Sequence, residues 1–225
     1  MEKDFDIGEA IKVGWGMMKD NLGFFIVLCI VYMVVEVISQ VIAGLGQGTE
    51  AALPIIVTWL ISTLISTYIY FGAYYKIPLA FCDKEKAEIS DLAIPMNTFL
   101  NMFICYICYT LIVLAGIVLL IVPGIIFAIM FRMSFFLILD KGYGPIEALK
   151  ESAKLTKGVR GKLFLLGIMQ FLVVLAGFLC LIVGLFAAVP TVIMAEVYVY
   201  RKLLQDHEGG GAPASDSPPI SPVAS

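Results

Sequence analysis

Residues 163–200 read LFLLGIMQFLVVLAGFLCLIVGLFAAVPTVIMAEVYVY, with Lys162 immediately before them and Arg201-Lys202 immediately after. No lysine or arginine interrupts the run. A helix needs about 20 apolar residues to cross the hydrocarbon of a bilayer. The run is too long for one crossing and suits two, so the chain crosses and returns. The stretches 22–75 and 98–131 are also long, apolar and free of Lys and Arg. All 15 basic residues therefore fall in four blocks: Lys3, Lys12 and Lys19; Lys76, Lys84 and Lys86; Arg132 through Lys162; and Arg201 with Lys202. An even number of crossings between blocks returns each block to the same side. Basic loops resist translocation and stay cytoplasmic. The expected fold is all-α and polytopic: six transmembrane helices in three hairpins, in the cytoplasmic (inner) membrane, with both termini cytoplasmic.

Composition agrees. Hydrophobic residues make up 60% of the 225-residue chain, and the mean hydropathy is +0.96. Soluble domains hold about 45–50% apolar residues. The net charge of −3 says little about orientation, because Asp and Glu contribute little to it. Residues 1–20 are rich in charge, and no small-residue cleavage site follows a short apolar run. The first membrane helix is thus expected to be an uncleaved anchor. The five cysteines, an odd number in apolar or reducing surroundings, argue against a disulfide framework.

Three units are expected: a cytoplasmic amphipathic helix in 1–21, a six-span membrane domain in 22–204 and a disordered cytoplasmic tail in 205–225. In 5–20, Ile7, Ile11, Trp15 and Met18 share one face of a helical wheel. Such a segment would lie in the membrane interface with Trp15 at headgroup depth. Gly8, Gly14 and Gly16 weaken it alone, so lipid or a partner must hold it. The spans are placed near 22–44, 54–76, 98–120, 125–140, 163–183 and 185–204. Tight outer turns are expected at Val122-Pro123-Gly124 and near Gly184. Residues 145–157 should form a second surface helix, with Pro145 in the first turn. Its apolar half holds Ile146, Ala148, Leu149, Ala153, Leu155 and Val159. A shorter amphipathic helix is expected in 87–97, with Ile89, Leu92 and Ala93 facing one way. The tail is rich in Gly, Pro and Ser and lacks the apolar content to pack.

Internal repetition runs through this layout. Glu9-Ala10-Ile11-Lys12 precedes the first span and Glu147-Ala148-Leu149-Lys150 precedes the fifth. Leu114-Ala115-Gly116-x3-Leu120-Ile121-Val122 matches Leu175-Ala176-Gly177-x3-Leu181-Ile182-Val183. Each even span carries an aromatic-basic pair: Tyr75-Lys76, Phe131-Arg132 and Tyr200-Arg201. The reading is three copies of one unit, related by an axis along the membrane normal.

The stretch 122–164 contains Val122-Pro123-Gly124-Ile125, Arg132, Gly144-Pro145, Ala148-Leu149, Ser152, Leu155-Thr156-Lys157-Gly158 and Phe164. This pattern resembles the YciC-like bacterial integral membrane proteins. It is similar too to the membrane domain attached to some glycerophosphoryl diester phosphodiesterases. The resemblance implies a six-span polytopic protein over residues 5–204. It implies no reaction and brings no functional residues. In such proteins an aromatic residue often follows the serine, whereas this chain has Ala153.

Catalytic signatures for metalloproteases, P-loop enzymes and serine hydrolases are missing from the sequence. No catalytic role and no cofactor or metal are expected. Cys105 and Cys108 form a CxxC, but on a membrane helix without a second pair or a histidine nearby. Three ionisable residues lie within spans: Glu36, Arg132 and Glu196. A charge at the centre of a membrane helix costs about 2.5–3.5 kcal/mol on insertion scales. Such residues face protein or a wet cavity, or snorkel to an interface. Arg132 is expected to pair with Glu196 or Glu36. Two readings of these three residues stand side by side. One is a polar centre that binds a lipid headgroup or solute; the other is a structural ion pair that sets helix register. The function expected first is a lipid- or amphiphile-binding or translocation module. The alternative is a non-catalytic scaffold or accessory subunit, whose partner is another protein or a second copy of the chain. No nucleic-acid partner is expected.

Overall fold

The computed structural model describes residues 5–45, 52–84, 87–180 and 184–208. Every regular element among them is helical. In chain order these are α1 (Ile7–Asp20), α2 (Leu22–Leu45), α3 (Ala52–Phe71), α4 (Ile77–Lys84), α5 (Met96–Leu119), α6 (Ile121–Met130), α7 (Ser134–Lys141), α8 (Pro145–Leu155), α9 (Arg160–Leu179) and α10 (Leu185–Glu208). Among the described residues, five segments are long and apolar enough to cross a membrane: Leu22–Gly44, Ala52–Asp83, Met96–Leu119, Ile121–Lys141 and Arg160–Leu179.

The expected sixth span corresponds to α10, which differs in burial from the other long helices. α10 is a 24-residue helix, but it is not among the five. It is the helix around which the others gather. Met194, Ala195, Val197, Val199, Tyr200 and Leu203 are fully buried. A helix covered by protein need not be apolar all round to satisfy lipid, and this one carries Glu196 and Arg201. It also continues through residue 208, so positions 205–208 of the expected tail are helical. The rest of that tail lies outside the described residues.

α1 packs along α10. Asp6 caps it, its carboxylate accepting the Glu9 N–H at 2.9 Å. Glu9 pairs with Lys202 at 3.4 Å, while Gly14 lies against Thr191 and Ala195. The two helices therefore run antiparallel. The face in contact is Ala10, Gly14 and Met18, all buried. Of the expected apolar face, Met18 is buried and Ile7 and Ile11 pack against the core, while Trp15 is exposed. A small-residue strip lets the helix axes approach, and a large indole would hold them apart.

The hairpins α5–α6 and α9–α10 give the LAG…LIV repeat a physical cause. A Cβ on Gly116 would sit 2.8 Å from the Gly124 Cα. A Cβ on Gly177 would sit 2.8 Å from the Gly184 carbonyl. Both hairpins thus close on a backbone crossing that admits no side chain. The first reversal is at Leu120, which is extended at φ −165° and ψ 138°, rather than at Val122-Pro123-Gly124. Those three residues lie in the first turn of α6. First-turn N–H groups have no partner within the helix, so Pro123 loses nothing there.

Two long segments are broken mid-way. Between α3 and α4 the backbone widens at Gly72–Lys76, and the Ile77 N–H reaches back to Gly72 O. Pro78 follows at once; its ring has no N–H and would clash with a carbonyl in a regular helix. The second span therefore runs to Asp83, beyond the expected end at 76. The other break is at 131–133, between α6 and α7, where a continuous fourth span was expected. Its loosened backbone is satisfied from α8. The Ser152 hydroxyl donates to Met130 O at 2.8 Å and accepts the Met133 N–H at 3.2 Å. Thr156 also donates to Met130 O, at 3.2 Å.

α8 forms where the surface helix was expected, and protein covers its apolar side. Ala148, Leu149, Ser152 and Leu155 are buried against α5 and α7, whereas Ile146 is exposed. Leu149→Glu places a charge in that contact and should sharply lower folded yield in detergent. Lys150→Glu, on the exposed side, should not. Equal losses would mean that the helix is turned the other way. The expected helix in 87–97 is only a single tight turn, Ile89–Leu92, with the Glu88 and Asp91 side chains capping each other's backbone. Ile89 is exposed and Leu92 is buried, so the protein covers only one of the two. At the end of the bundle that holds Asp83, Arg201 binds Asp140 at 3.0 Å and Asp83 at 2.5 Å, tying α10 to α7 and α4.

A candidate binding site at Arg132

Arg132 sits in the break between α6 and α7, so its side chain leaves the helix stack and reaches α10. Nε donates to Glu196 Oε1 at 2.5 Å and Nη2 donates to Glu196 Oε2 at 2.9 Å. This two-pronged pairing is the strongest geometry open to a guanidinium and a carboxylate. Nη2 also donates to Gln170 Oε1 at 2.5 Å. Gln170 is itself fixed by its amide N–H, which donates to Val192 O at 3.2 Å. The Tyr74 hydroxyl donates to Glu196 Oε2 at 3.1 Å. The Glu196 side chain is 3% exposed and the Arg132 side chain 24%. Glu196 is thus enclosed and satisfied, while Arg132 keeps one open edge.

Of the two acids expected to serve Arg132, Glu196 is the partner. Glu36 lies elsewhere. Its carboxylate accepts from Gln40 Nε2 and from the Ser66 hydroxyl, each at 3.0 Å, across the α2–α3 hairpin. It takes no part in the Arg132 cluster. Nor are the three aromatic-basic pairs equivalent. Arg132 binds Glu196, Arg201 binds two aspartates, and Lys76 donates to the Ala93 carbonyl.

Sequence reasoning missed Gln170 and Tyr74. Gln170 had a usable signal, because it is the one amide side chain in the run 163–200. Tyr74 had none of its own, since a cluster of tyrosines at a span end also reads as an interfacial belt.

Beside the pair is a cavity of about 560 Å³. Tyr70, Tyr74, Tyr106 and Tyr109 line one side. Ile125 and Ile129 of α6 and Phe164, Ile168 and Phe171 of α9 line the other. Ile125, Phe164, Ile168 and Phe171 also keep large exposed areas, so the apolar wall along α6 and α9 is open rather than sealed. The widened turn at Gly72–Lys76 carries Tyr74 and Tyr75 to the cavity, and the break at 131–133 carries Arg132. Wide turns and helix breaks of this kind recur at functional sites. Arg132 Nη1 has no hydrogen-bond partner among the described residues. Both Glu196 oxygens already accept. What the centre still offers is therefore a donor, suited to a ligand that brings acceptor oxygens.

The chain is similar to uncharacterised proteins of Mycobacterium bovis and Mycobacterium tuberculosis. Each is 23% identical over 245 aligned positions, which cover 97% of this chain and 73% of the relative. No family model matches the chain, and no solved structure does.

Proposed function

We propose that this protein is a membrane-embedded binding or translocation module for a lipid or small amphiphile. In this reading α10 completes six spans in three hairpins. Both termini and the basic loops are cytoplasmic, and the segments near 45–53, 120–124 and 184 face outward. The resemblance to YciC-like proteins belongs to the same reading.

One observation carries it. A charged side chain, freed by a helix break, opens into a cavity of about 560 Å³ whose other walls are phenolic and apolar apart from its own partner Glu196. Ligand pockets commonly fall in the range of about 300–1,000 Å³. An ion pair needed only to fix helix register would be better enclosed on all sides. Keeping one edge of the guanidinium uncovered at that depth is costly unless something polar visits it.

Two measurements test the proposal. Native mass spectrometry after purification in mild detergent should show a bound amphiphile. A bare protein, or one that carries only a stoichiometric protein partner, would favour scaffolding instead. For the topology, a membrane-impermeant thiol reagent applied from outside should label Gln47→Cys and miss Ser90→Cys and Ser215→Cys. Labelling of Ser90→Cys from outside would overturn the six-span arrangement.

A further inference from the structure

We infer that Gly167 of α9 is a notch that leaves Arg132 Nη1 open to the phosphate oxygens of a lipid headgroup, with the acyl chains leaving between α6 and α9. The inference rests on reading the cavity as an amphiphile site. Gly167 lines that cavity together with Arg132. Among the described residues, a Cβ built on it would meet just one group within 4 Å, Arg132 Nη1 at 3.8 Å. This differs from Gly116 and Gly177, where neighbouring backbone forbids a side chain. Packing does not demand a glycine at 167, and an interior glycine weakens a helix. What its missing side chain does is uncover the guanidinium.

The surroundings select the ligand class. Glu196 and Gln170 occupy Nε and Nη2, so only the Nη1 edge is available, on the cavity side. The Tyr106 hydroxyl, with no hydrogen-bond partner among the described residues, lines the same space. Phosphate oxygens accept from both kinds of donor. The exposed Ile168 and Phe171 one face further along α9 favour a phosphate that carries hydrocarbon over a free one.

The test compares wild type, Gly167→Ala and Gly167→Leu after delipidation in detergent. Each is titrated with phosphatidylglycerol, diacylglycerol and inorganic phosphate, and followed by native mass spectrometry and thermal unfolding. Wild type should retain phosphatidylglycerol and not diacylglycerol. Gly167→Leu should weaken that retention by about tenfold, the loss that accompanies removal of hydrogen bonds to a charged group. Gly167→Ala should weaken it less. Both variants should unfold at or above the wild-type temperature, because they add helix propensity in open space. Full retention of phosphatidylglycerol by Gly167→Leu would overturn the notch while leaving an amphiphile site elsewhere. Equal retention of diacylglycerol would remove the phosphate from the recognition. Stabilisation by inorganic phosphate without any lipid adduct would assign the notch to a soluble anion. If wild type retains neither lipid, the notch and the proposed function fall together.

Discussion

Glu196→Leu alone should unfold at a much lower temperature than wild type, and Glu196→Leu combined with Arg132→Leu should recover much of the loss. The pair is two-pronged, and the Glu196 side chain is 3% exposed. Removing one member of a buried ion pair typically costs about 3–5 kcal/mol, mostly because the other charge is left uncompensated. Replacing both removes that residue of charge. The two single changes should differ. A stranded carboxylate can take up a proton, and Glu196 would keep the hydrogen bond from Tyr74. A stranded guanidinium cannot lose its proton. Arg132→Leu should therefore be the milder single change. Thermal unfolding of the four proteins in one detergent closes the double-mutant cycle. Additive losses would mean that the pair contributes nothing by being a pair. Lipid retention reads a different quantity. Arg132→Leu should abolish it, and the second change should not restore it. If Arg132→Leu alters neither stability nor retention, Arg132 is only reaching for the interface.

The second large effect is expected at Gly14. A leucine there would drive its Cβ into the Thr191 carbonyl and to 2.9 Å from the Ala195 N. Both obstacles are backbone of the buried helix α10, so neither can swing aside. Forcing extra atoms into a packed contact commonly costs about 1–3 kcal/mol, and more where backbone must move. α1 should then detach from α10, and residues 7–20 should become open to protease in detergent. Gly16→Leu is the control. Nothing lies within 4 Å of a Cβ at Gly16, so the same change two residues on should be neutral or stabilising. Equal protease sensitivity in the two variants would mean that α1 is not docked as described.

The all-helical fold was legible because an apolar run between basic blocks has few physical readings. Long helices followed from the same pattern. The ionisable residues inside the apolar runs were legible too, since each is an exception to a strong rule. What hydropathy could not show was rank among the helices. An outward-facing helix and a helix wrapped by protein can be equally long, and only packing revealed that α10 is wrapped by protein. Nor could periodicity choose the contact face of α1. The apolar face with Trp15 and the small-residue face with Gly14 lie side by side on the wheel. Close backbone approach to α10 selects the small one. The helix break at 131–133 had no turn residue to announce it; it is held open from a distance by Ser152 and Thr156. That break decides where the Arg132 guanidinium goes. The residues 132 and 196 could each be picked out from the chain alone. Their meeting, and the uncovered edge above Gly167, depend on three helices converging, which no local pattern records.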